Sequence, residues 1–202
     1  MSRWSWVWKV LIFSLISIFL AFHGQQFFTN VSQSFAENKI ASVFSSSGTV
    51  DYVLTHEYSN KTKINHPEEL LIQGIDQSKT SIQMSIFSIT LTSIGNALKE
   101  AKKRGVDIRV IADGEQSQNK YQKSILLDLV HSGIPVKLDQ HKGYMHLKLT
   151  VIDDQIVYVG SFNYSKSASS INDEILLKVS DESMAKQLHQ EFDRMWIHPS
   201  FK

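Results

Sequence analysis

The stretch HLKLTVIDDQIVYVGSFNYS, from His146 to Ser165, places polar side chains on what otherwise reads as a β-hairpin. LKLTVID and QIVYVG carry the alternating, β-branched residues that are typical of strands, and Asp154-Gln155 suits the turn between them. Residues two apart on a strand share a face, so His146 and Lys148 are predicted to be neighbours on one surface. The hairpin therefore presents an imidazole beside an ammonium group.

The sequence before this hairpin alternates apolar strand patterns with helical ones. Strands are predicted within 49–54, 81–90, 106–114 and 134–138, and helices over 67–79, 92–105 and 118–133. After the hairpin, 174–180 predicts a strand and 181–199 an amphipathic helix. Strands alternating with helices are the pattern of an α/β domain. We expect a mostly parallel mixed β-sheet that is flanked by helices.

The first 36 residues have the features of a targeting segment. Two basic residues precede an apolar run over 10–22, and Ser34-Phe35-Ala36 supplies the small residues that a signal peptidase reads. Cleavage would then fall before Glu37, while an uncleaved membrane anchor that begins near Trp4 is the alternative. Both interpretations predict that the remaining chain lies outside the cytoplasm, as a secreted, periplasmic or membrane-anchored protein.

The amino-acid composition of the whole chain is that of one globular domain. The chain has 202 residues, of which 42% are hydrophobic and 20% charged. A Ser-rich linker is predicted over 37–48 and the folded domain over 49–202. The formal net charge is only +1, so a nucleic-acid partner would have to be bound by a local basic patch. The absence of cysteine excludes disulfides, thiolate metal sites and cysteine nucleophiles.

The polar side chains of the hairpin suit the chemistry of a phosphodiester. Lys148 can neutralise a non-bridging oxygen while His146 attacks phosphorus or moves a proton. The turn that begins at Gly160 lets the backbone approach a ligand closely, and Asn163 can present its amide to the same phosphate. By strict alternation Asp153 falls on the opposite face, which favours an anchoring role for this residue.

The spacing of these residues resembles a known signature. His146-x-Lys148-x4-Asp153 followed by GSFN at 160–163 is similar to the HKD motif of the phospholipase D superfamily. By the residue frequencies of the chain, the combined pattern is expected by chance only about 10⁻⁵ times. The continuation YSKSASSINDE resembles in particular the small bacterial endonucleases that carry one motif per chain. The order of strands and helices from about Thr49 to the C-terminus also fits that fold.

The resemblance implies roles for individual residues. His146 would be the nucleophile that forms a phosphohistidine, Lys148 and Asn163 would bind the phosphate, and Glu174 would orient the histidine. No metal ion and no other cofactor is implied. The candidate catalytic residues are His146, Lys148, Asp153, Asn163 and Glu174, and the candidate substrate-binding residues are Lys148, Ser161 and Asn163.

The resemblance also implies a partner. In such enzymes two motifs face each other, and one histidine attacks while the other protonates the leaving group. A chain with a single motif must then form a homodimer in which His146 from each subunit meets across a two-fold axis. We therefore expect one active site for every two chains.

Three functions are compatible with these observations. The first is an exported, metal-independent endonuclease that cleaves DNA or RNA as a homodimer. The second is a secreted phospholipase D acting on phosphatidylcholine-type lipids, which the hydrophobic N-terminus and the near-neutral charge favour. The third is a non-catalytic, membrane-tethered module that binds nucleic acid. The motif recognises a phosphodiester and not the groups attached to it, so it does not separate the substrates.

Two further sets of side chains have alternative interpretations. The aromatic residues Tyr144, Phe162 and Tyr164 could stack on the bases of a single strand, although aromatic residues beside strands usually belong to the core. The basic run over 99–109 could contact a phosphate backbone, although such a run is more often the solvated face of a helix. For both sets the structural role is the expected one.

Overall fold

The computed structural model describes residues 48–55 and 66–202. The targeting segment predicted over 1–36 and all of the predicted linker except Gly48 lie outside these ranges. Within the two described ranges, every helix is too short or too polar to cross a membrane.

The predicted strands and helices are all present. The strands are β1 (Thr49–Thr55), β2 (Ser81–Ile86), β3 (Asp107–Asp113), β4 (Val136–Asp139), β5 (Lys148–Ile152), β6 (Ile156–Gly160) and β7 (Glu174–Ser180). The helices are α1 (Pro67–Gln77), α2 (Thr92–Lys103), α3 (Lys120–His131), α4 (Lys166–Ser170) and α5 (Glu182–Ile197). Helix α4 and a 3₁₀ turn at Gln116–Gln118 were not predicted, because both are too short to show a helical period.

The ends of the helices follow local rules. Gly105 lies just beyond α2 with φ +92°, a conformation that glycine adopts without strain, and it ends the helix as predicted. Helix α2 begins at Thr92, and the side chain of Leu91 before it makes no capping hydrogen bond. Helix α3 is capped by Asn119, whose side chain accepts a hydrogen bond from the Tyr121 N–H.

The strands form one seven-stranded sheet in the order β1-β7-β6-β5-β2-β3-β4. Strands β2, β3 and β4 run parallel, since α2 and α3 provide the crossovers between them. The other four neighbouring pairs are antiparallel, so the expectation of a mostly parallel sheet is wrong, although the α/β class is confirmed. The connection from β5 to β6 spans only Asp153–Gln155, and a link of this length permits only antiparallel pairing.

These strand directions bring distant parts of the chain to one edge of the sheet. The carboxyl ends of β2 and β3 lie at the same edge as the amino end of β5, because β5 pairs antiparallel with β2. The end of β6 and the start of β7 reach this edge for the same reason. We call it the motif edge and define it by Ile86, Asp113, Lys148, Gly160 and Glu174.

Both faces of the sheet are packed. On one face Met84 and Ile86 of β2 are fully buried in a cluster with the apolar sides of α1, α2 and α3. On the other face Leu149 and Val151 of β5 pack against Ala185 of α5. The sheet is thus fixed by apolar burial on both sides, which makes its edge a rigid support for polar side chains.

Candidate active site

His146 lies in an irregular segment directly before β5, at the motif edge. Both of its chain neighbours are anchored, since the Met145 N–H donates to Asp113 Oδ2 at 2.9 Å and the Phe87 N–H donates to Leu147 O at 2.8 Å. The imidazole packs on the Phe87 ring with centroids 4.4 Å apart, and the residue remains exposed. The backbone around His146 is therefore fixed while its ring is accessible to a ligand.

Lys148 begins β5 and is only 5% exposed. Its Nζ donates to His146 Nδ1 at 3.2 Å and to His146 O at 2.9 Å, and it lies 4.7 Å from the centre of the Phe87 ring. Burial lowers the pKa of Lys148 from its usual value, while the carboxylates of Glu174 and Asp113 act in the opposite direction. The predicted contact between the imidazole and the ammonium group is present.

The turn after β6 is closed by Gly160 and Ser161. A Cβ atom on Gly160 would lie 2.0 Å from the Ile175 carbonyl oxygen, so only glycine fits at this position. Ser161 Oγ donates to Glu174 Oε2 at 2.5 Å and accepts from the Ile175 N–H at 3.1 Å. Both of these hydrogen bonds of the Ser161 hydroxyl, which was predicted to bind substrate, are made with residues of β7. The residue itself is exposed.

Asn163 has hydrogen-bonding capacity that the protein does not use. Its Oδ1 is buried, and among the described residues it has no hydrogen-bond partner. A buried amide group without a partner is costly unless a ligand or a water molecule supplies one. This spare capacity is compatible with the predicted phosphate-binding role of Asn163.

Glu174 contacts groups other than the predicted one. Its carboxylate accepts hydrogen bonds from Ser161 Oγ and from Asn172 Nδ2, the latter at 3.2 Å. Within the part of the chain that the structure describes, no hydrogen bond joins it to His146, and the orienting role of Glu174 stays a prediction. The electrostatic effect of Glu174 is on Lys148, whose pKa it raises against the effect of burial.

Asp153 lies at the far end of β5 from Lys148, five residues and roughly 17 Å away at about 3.4 Å per residue. Its carboxylate accepts hydrogen bonds from the N–H groups of Lys79, Thr80 and Ser81 and from the Thr80 hydroxyl. The inclusion of Asp153 among the catalytic residues is therefore corrected. It anchors the β5–β6 turn to the start of β2, as the alternation of side chains indicates.

This anchor gives a prediction for Asp153→Asn, which keeps the side-chain shape and tolerates the φ of +55°. Burial raises the pKa of Asp153, but the hydrogen bonds from residues 79–81 outweigh it and hold the pKa below its usual value. Stability from such a carboxylate is present at neutral pH and is lost as the pH falls through the folded-state pKa. We expect Asp153→Asn to lose about 1–2 kcal/mol of unfolding free energy at pH 7, allowing for partial exposure.

Denaturant unfolding at neutral pH and at about pH 3 tests this prediction. The difference between wild type and variant should shrink in acid, because below the unfolded-state pKa the unfolded chain takes up a proton at Asp153 that the folded protein binds less readily. The kcat of the folded variant should stay within about twofold of wild type. A loss of stability that is equal at both pH values would contradict the charge-based anchor, and a large fall in kcat would restore Asp153 to the catalytic set.

The aromatic candidates divide into two groups. Phe162 and Tyr164 are fully buried in the core beneath the sheet, so the structural role expected for them is confirmed and the alternative of base stacking is excluded. Tyr144 is 54% exposed and lies edge-on to Phe87, with ring centroids 5.8 Å apart. Only Tyr144 of the three has a ring that is available beside His146.

The basic run is mostly engaged in contacts within the protein. Lys99 pairs with Asp128 at 2.5 Å, and Arg109 pairs with Asp193 at 2.7 Å. Arg104 donates to the Ile75 carbonyl oxygen, at the end of α2 that lies away from the motif edge. These contacts favour the structural interpretation of the run over binding of a phosphate backbone.

Two residues of the site were not identified from the sequence. The Phe87 ring packs against the His146 imidazole and faces the Lys148 ammonium. The Asp113 carboxylate accepts a hydrogen bond from Met145, the residue before His146. Both lie at the carboxyl ends of parallel strands, where α/β proteins commonly bind ligands, and this rule could have found them. In the described ranges no three His, Asp or Glu side chains are grouped as metal ligands would be.

Comparison with known proteins places this site in a family. The model of the family described as cardiolipin synthase, PLD-like domain, matches residues 71–196, which are 126 of the 202 residues and include the whole motif. Mitochondrial cardiolipin hydrolase of Xenopus tropicalis is 32% identical over 120 residues, or 59% of this chain and 56% of that protein. Phospholipase D of Rickettsia prowazekii is 31% identical over 124 residues, or 61% of this chain and 60% of that protein. The chain thus spans little more than half the length of these curated relatives.

Two solved structures are matched over nearly their whole length. Nuc of Salmonella typhimurium, a phospholipase D family member, has a TM-score of 0.68 and 28% identity over 77% of this chain and 97% of its own. NucT of Helicobacter pylori has a TM-score of 0.63 and 28% identity over 73% of this chain and 96% of its own. The fold described above is therefore shared with proteins of similar size.

Proposed function

The chain belongs to the family of PLD-like domains, and from this membership we propose that it is a metal-independent phosphodiesterase acting through a phosphohistidine. His146 Nε2 would attack phosphorus, and the bond between phosphorus and the leaving oxygen would break. The leaving oxygen would take a proton from the partner subunit's His146. Water would then displace the histidine from phosphorus and release the second product, with that same partner histidine accepting the proton of the water.

The observation that carries this proposal is the contact between His146 and Lys148. A desolvated ammonium lies 3.2 Å from the Nδ1 atom of an exposed imidazole. When Nδ1 accepts this hydrogen bond, the ring proton of a neutral imidazole is on Nε2. A phosphate oxygen that competes for the ammonium would free Nδ1 to hold the proton, so Nε2 would become the nucleophile only when substrate is bound.

Nucleic acid is the substrate class that we favour. The chain covers 97% and 96% of the structures named Nuc and NucT, whereas it covers little more than half of the curated relatives named for lipid hydrolysis. The exposed ring of Tyr144 beside His146 offers one surface on which a base could stack. We propose an endonuclease that is exported or membrane-anchored through residues 1–36.

A phospholipase is the second candidate. The relatives named cardiolipin hydrolase and phospholipase D match the chain at 32% and 31% identity, above the 28% of the two structures. The same histidine and lysine would act on a lipid phosphodiester without any change of mechanism. The two candidates differ only in the groups that flank the phosphate.

A substrate comparison on the purified full chain decides between them. Single-stranded DNA, double-stranded DNA, RNA and liposomes of phosphatidylcholine or cardiolipin would each be assayed in excess chelator. We expect cleavage of nucleic acid to exceed lipid hydrolysis. Lipid hydrolysis alone would identify the second candidate, and a loss of activity on chelation would contradict metal independence. The mass of the mature N-terminus separates a cleaved signal from a retained anchor.

The proposed homodimer gives a prediction for mixed subunits. If one active site needs His146 from both chains, a dimer of wild type and His146→Ala is inactive. Co-expression at equal levels with random pairing should then leave about one quarter of the activity of the same total amount of wild type.

Chains that work alone would instead retain about one half, in proportion to the wild-type fraction. Co-expression with His131→Ala is the matched control, because His131 lies on α3 at the end away from the motif edge. That mixture should keep full activity. A linear dependence of activity on the wild-type fraction would contradict the shared site.

A further inference from the structure

Asp113 is a buried carboxylate at the motif edge that the HKD motif does not include. It is the last residue of β3 and is 1% exposed. In the parallel pairing of β3 with β4 it stands opposite Asp139, which is also buried. A buried carboxylate is costly unless its oxygens are hydrogen-bonded, so the contacts of Asp113 indicate what the residue does.

Both carboxylate oxygens of Asp113 accept backbone hydrogen bonds. Oδ1 accepts from the Gln116 N–H at 2.8 Å, and Oδ2 accepts from the Met145 N–H at 2.9 Å. The first bond holds the 3₁₀ turn that follows β3, and the second holds the irregular segment before β5. Met145 is itself buried beside Ile111, so this segment is fixed at the residue directly before His146.

Asp113 also acts on the charge of Lys148. The groups facing the Lys148 ammonium are the imidazole of His146, the carboxylate of Glu174 on β7 and that of Asp113 on β3. Burial lowers the pKa of Lys148, and the two carboxylates are the groups that raise it. Glu174 has the larger effect of the two and is half-buried at the surface, whereas Asp113 is enclosed at the same edge of the sheet.

We infer that Asp113 is a positioning residue that fixes the backbone ahead of His146 and keeps the Lys148 ammonium charged in its buried site. This inference deepens the proposed function and rests on it. Asp139 differs because it contacts His141, both through the His141 N–H at 3.2 Å and through the ring. Asp113 and Asp139 are thus two buried carboxylates at one register position with different contacts, and a variant of Asp139 is the control for the same variant of Asp113.

The test compares Asp113→Asn with Asp139→Asn in the full chain. Asp113→Asn keeps the shape of the side chain but removes its charge. It also places the amide NH₂ group opposite one of the two backbone N–H donors, so that hydrogen bond is lost. We expect kcat for a phosphodiester substrate to fall roughly 10- to 100-fold with little change in KM, because the nucleophile is displaced. Asp139→Asn should retain kcat within about threefold.

The pH profile separates positioning from a merely structural role. Asp113 raises the pKa of Lys148, so removing its charge lowers that pKa further. The alkaline limb of the kcat profile should move to lower pH in Asp113→Asn and should not move in Asp139→Asn. Asp113→Glu keeps the charge but displaces the oxygens, so it should lower kcat without moving the limb.

A measurement without turnover distinguishes failure of the inference from failure of the proposed function. Lysine labelled with ¹³C at Cε allows the Lys148 titration to be followed by NMR in the full chain. A shift of the Lys148 titration to lower pH in Asp113→Asn supports the inference even if no phosphodiester is hydrolysed. The absence of hydrolysis would overturn the proposed function but not the inference. An unchanged Lys148 titration in a folded Asp113→Asn would overturn the inference, as would equal losses of kcat in the two Asn variants.

Discussion

Replacing His146 by alanine is expected to lower kcat for phosphodiester hydrolysis by at least about 10⁴-fold. The variant loses the atom that is proposed to bond to phosphorus, and in a homodimer it also loses the imidazole that protonates the leaving group. Since His146 is exposed, and the contacts of its ring in the described part of the chain are with Phe87 and Lys148 at the surface, its removal should leave the fold intact. Substrate binding should change little, because Lys148 and Asn163 remain.

The measurement is single-substrate kinetics in excess chelator, with thermal unfolding as a check on the fold. His131→Ala is the matched control, since His131 is exposed at the last turn of α3 and lies away from the motif edge. It should retain wild-type kcat within about twofold. A His146→Ala variant that is folded and keeps more than about one hundredth of the wild-type rate would contradict a nucleophilic role.

Replacing Lys148 by methionine is expected to lower kcat/KM about 10²- to 10³-fold. The charge that is proposed to bind the phosphate would be lost, while an apolar chain of similar length would fill the buried space. Because Lys148 is only 5% exposed and is not paired with a carboxylate by a direct hydrogen bond among the described residues, methionine should not lower the unfolding free energy. The variant should therefore lose activity without losing stability.

The pH dependence adds a second test at Lys148. Burial lowers the pKa of Lys148, so wild-type activity should fall at alkaline pH, at a pH below the usual value for lysine. Lys148→Arg stays protonated throughout this range, and its residual activity should show no such alkaline limb. An alkaline limb that is the same in Lys148→Arg and wild type would assign the titration to another group.

The sequence predicted the elements of this fold better than their arrangement. The period of apolar residues located each strand and each long helix, because burial on one face of an element leaves a local pattern. The directions of β5, β6 and β7 relative to β2 depend on pairings between distant segments, which no local pattern records. The antiparallel pairing of β5 with β6 was predicted as a hairpin from its short turn, whereas the antiparallel pairings of β5 with β2, of β6 with β7 and of β7 with β1 were missed.

The site shows the same division. The contact of His146 with Lys148 and the anchoring role of Asp153 could be predicted, because both depend on spacing within one short stretch of chain around β5. The bond of Glu174 to Ser161 could not, since it depends on how the end of β6 lies beside the start of β7. Asp113 was missed for a related reason, because its partner Met145 is 32 residues away in the chain.

The most direct test of the account is to trap the covalent intermediate on His146. Wild-type full chain would be mixed with excess substrate, quenched rapidly in alkali to preserve phosphohistidine, digested and examined by mass spectrometry. We predict a substrate-derived phosphoryl adduct on the peptide that contains His146, and no adduct in His146→Ala. Rapid turnover with no adduct on this histidine, or with the adduct on another residue, would contradict the central claim.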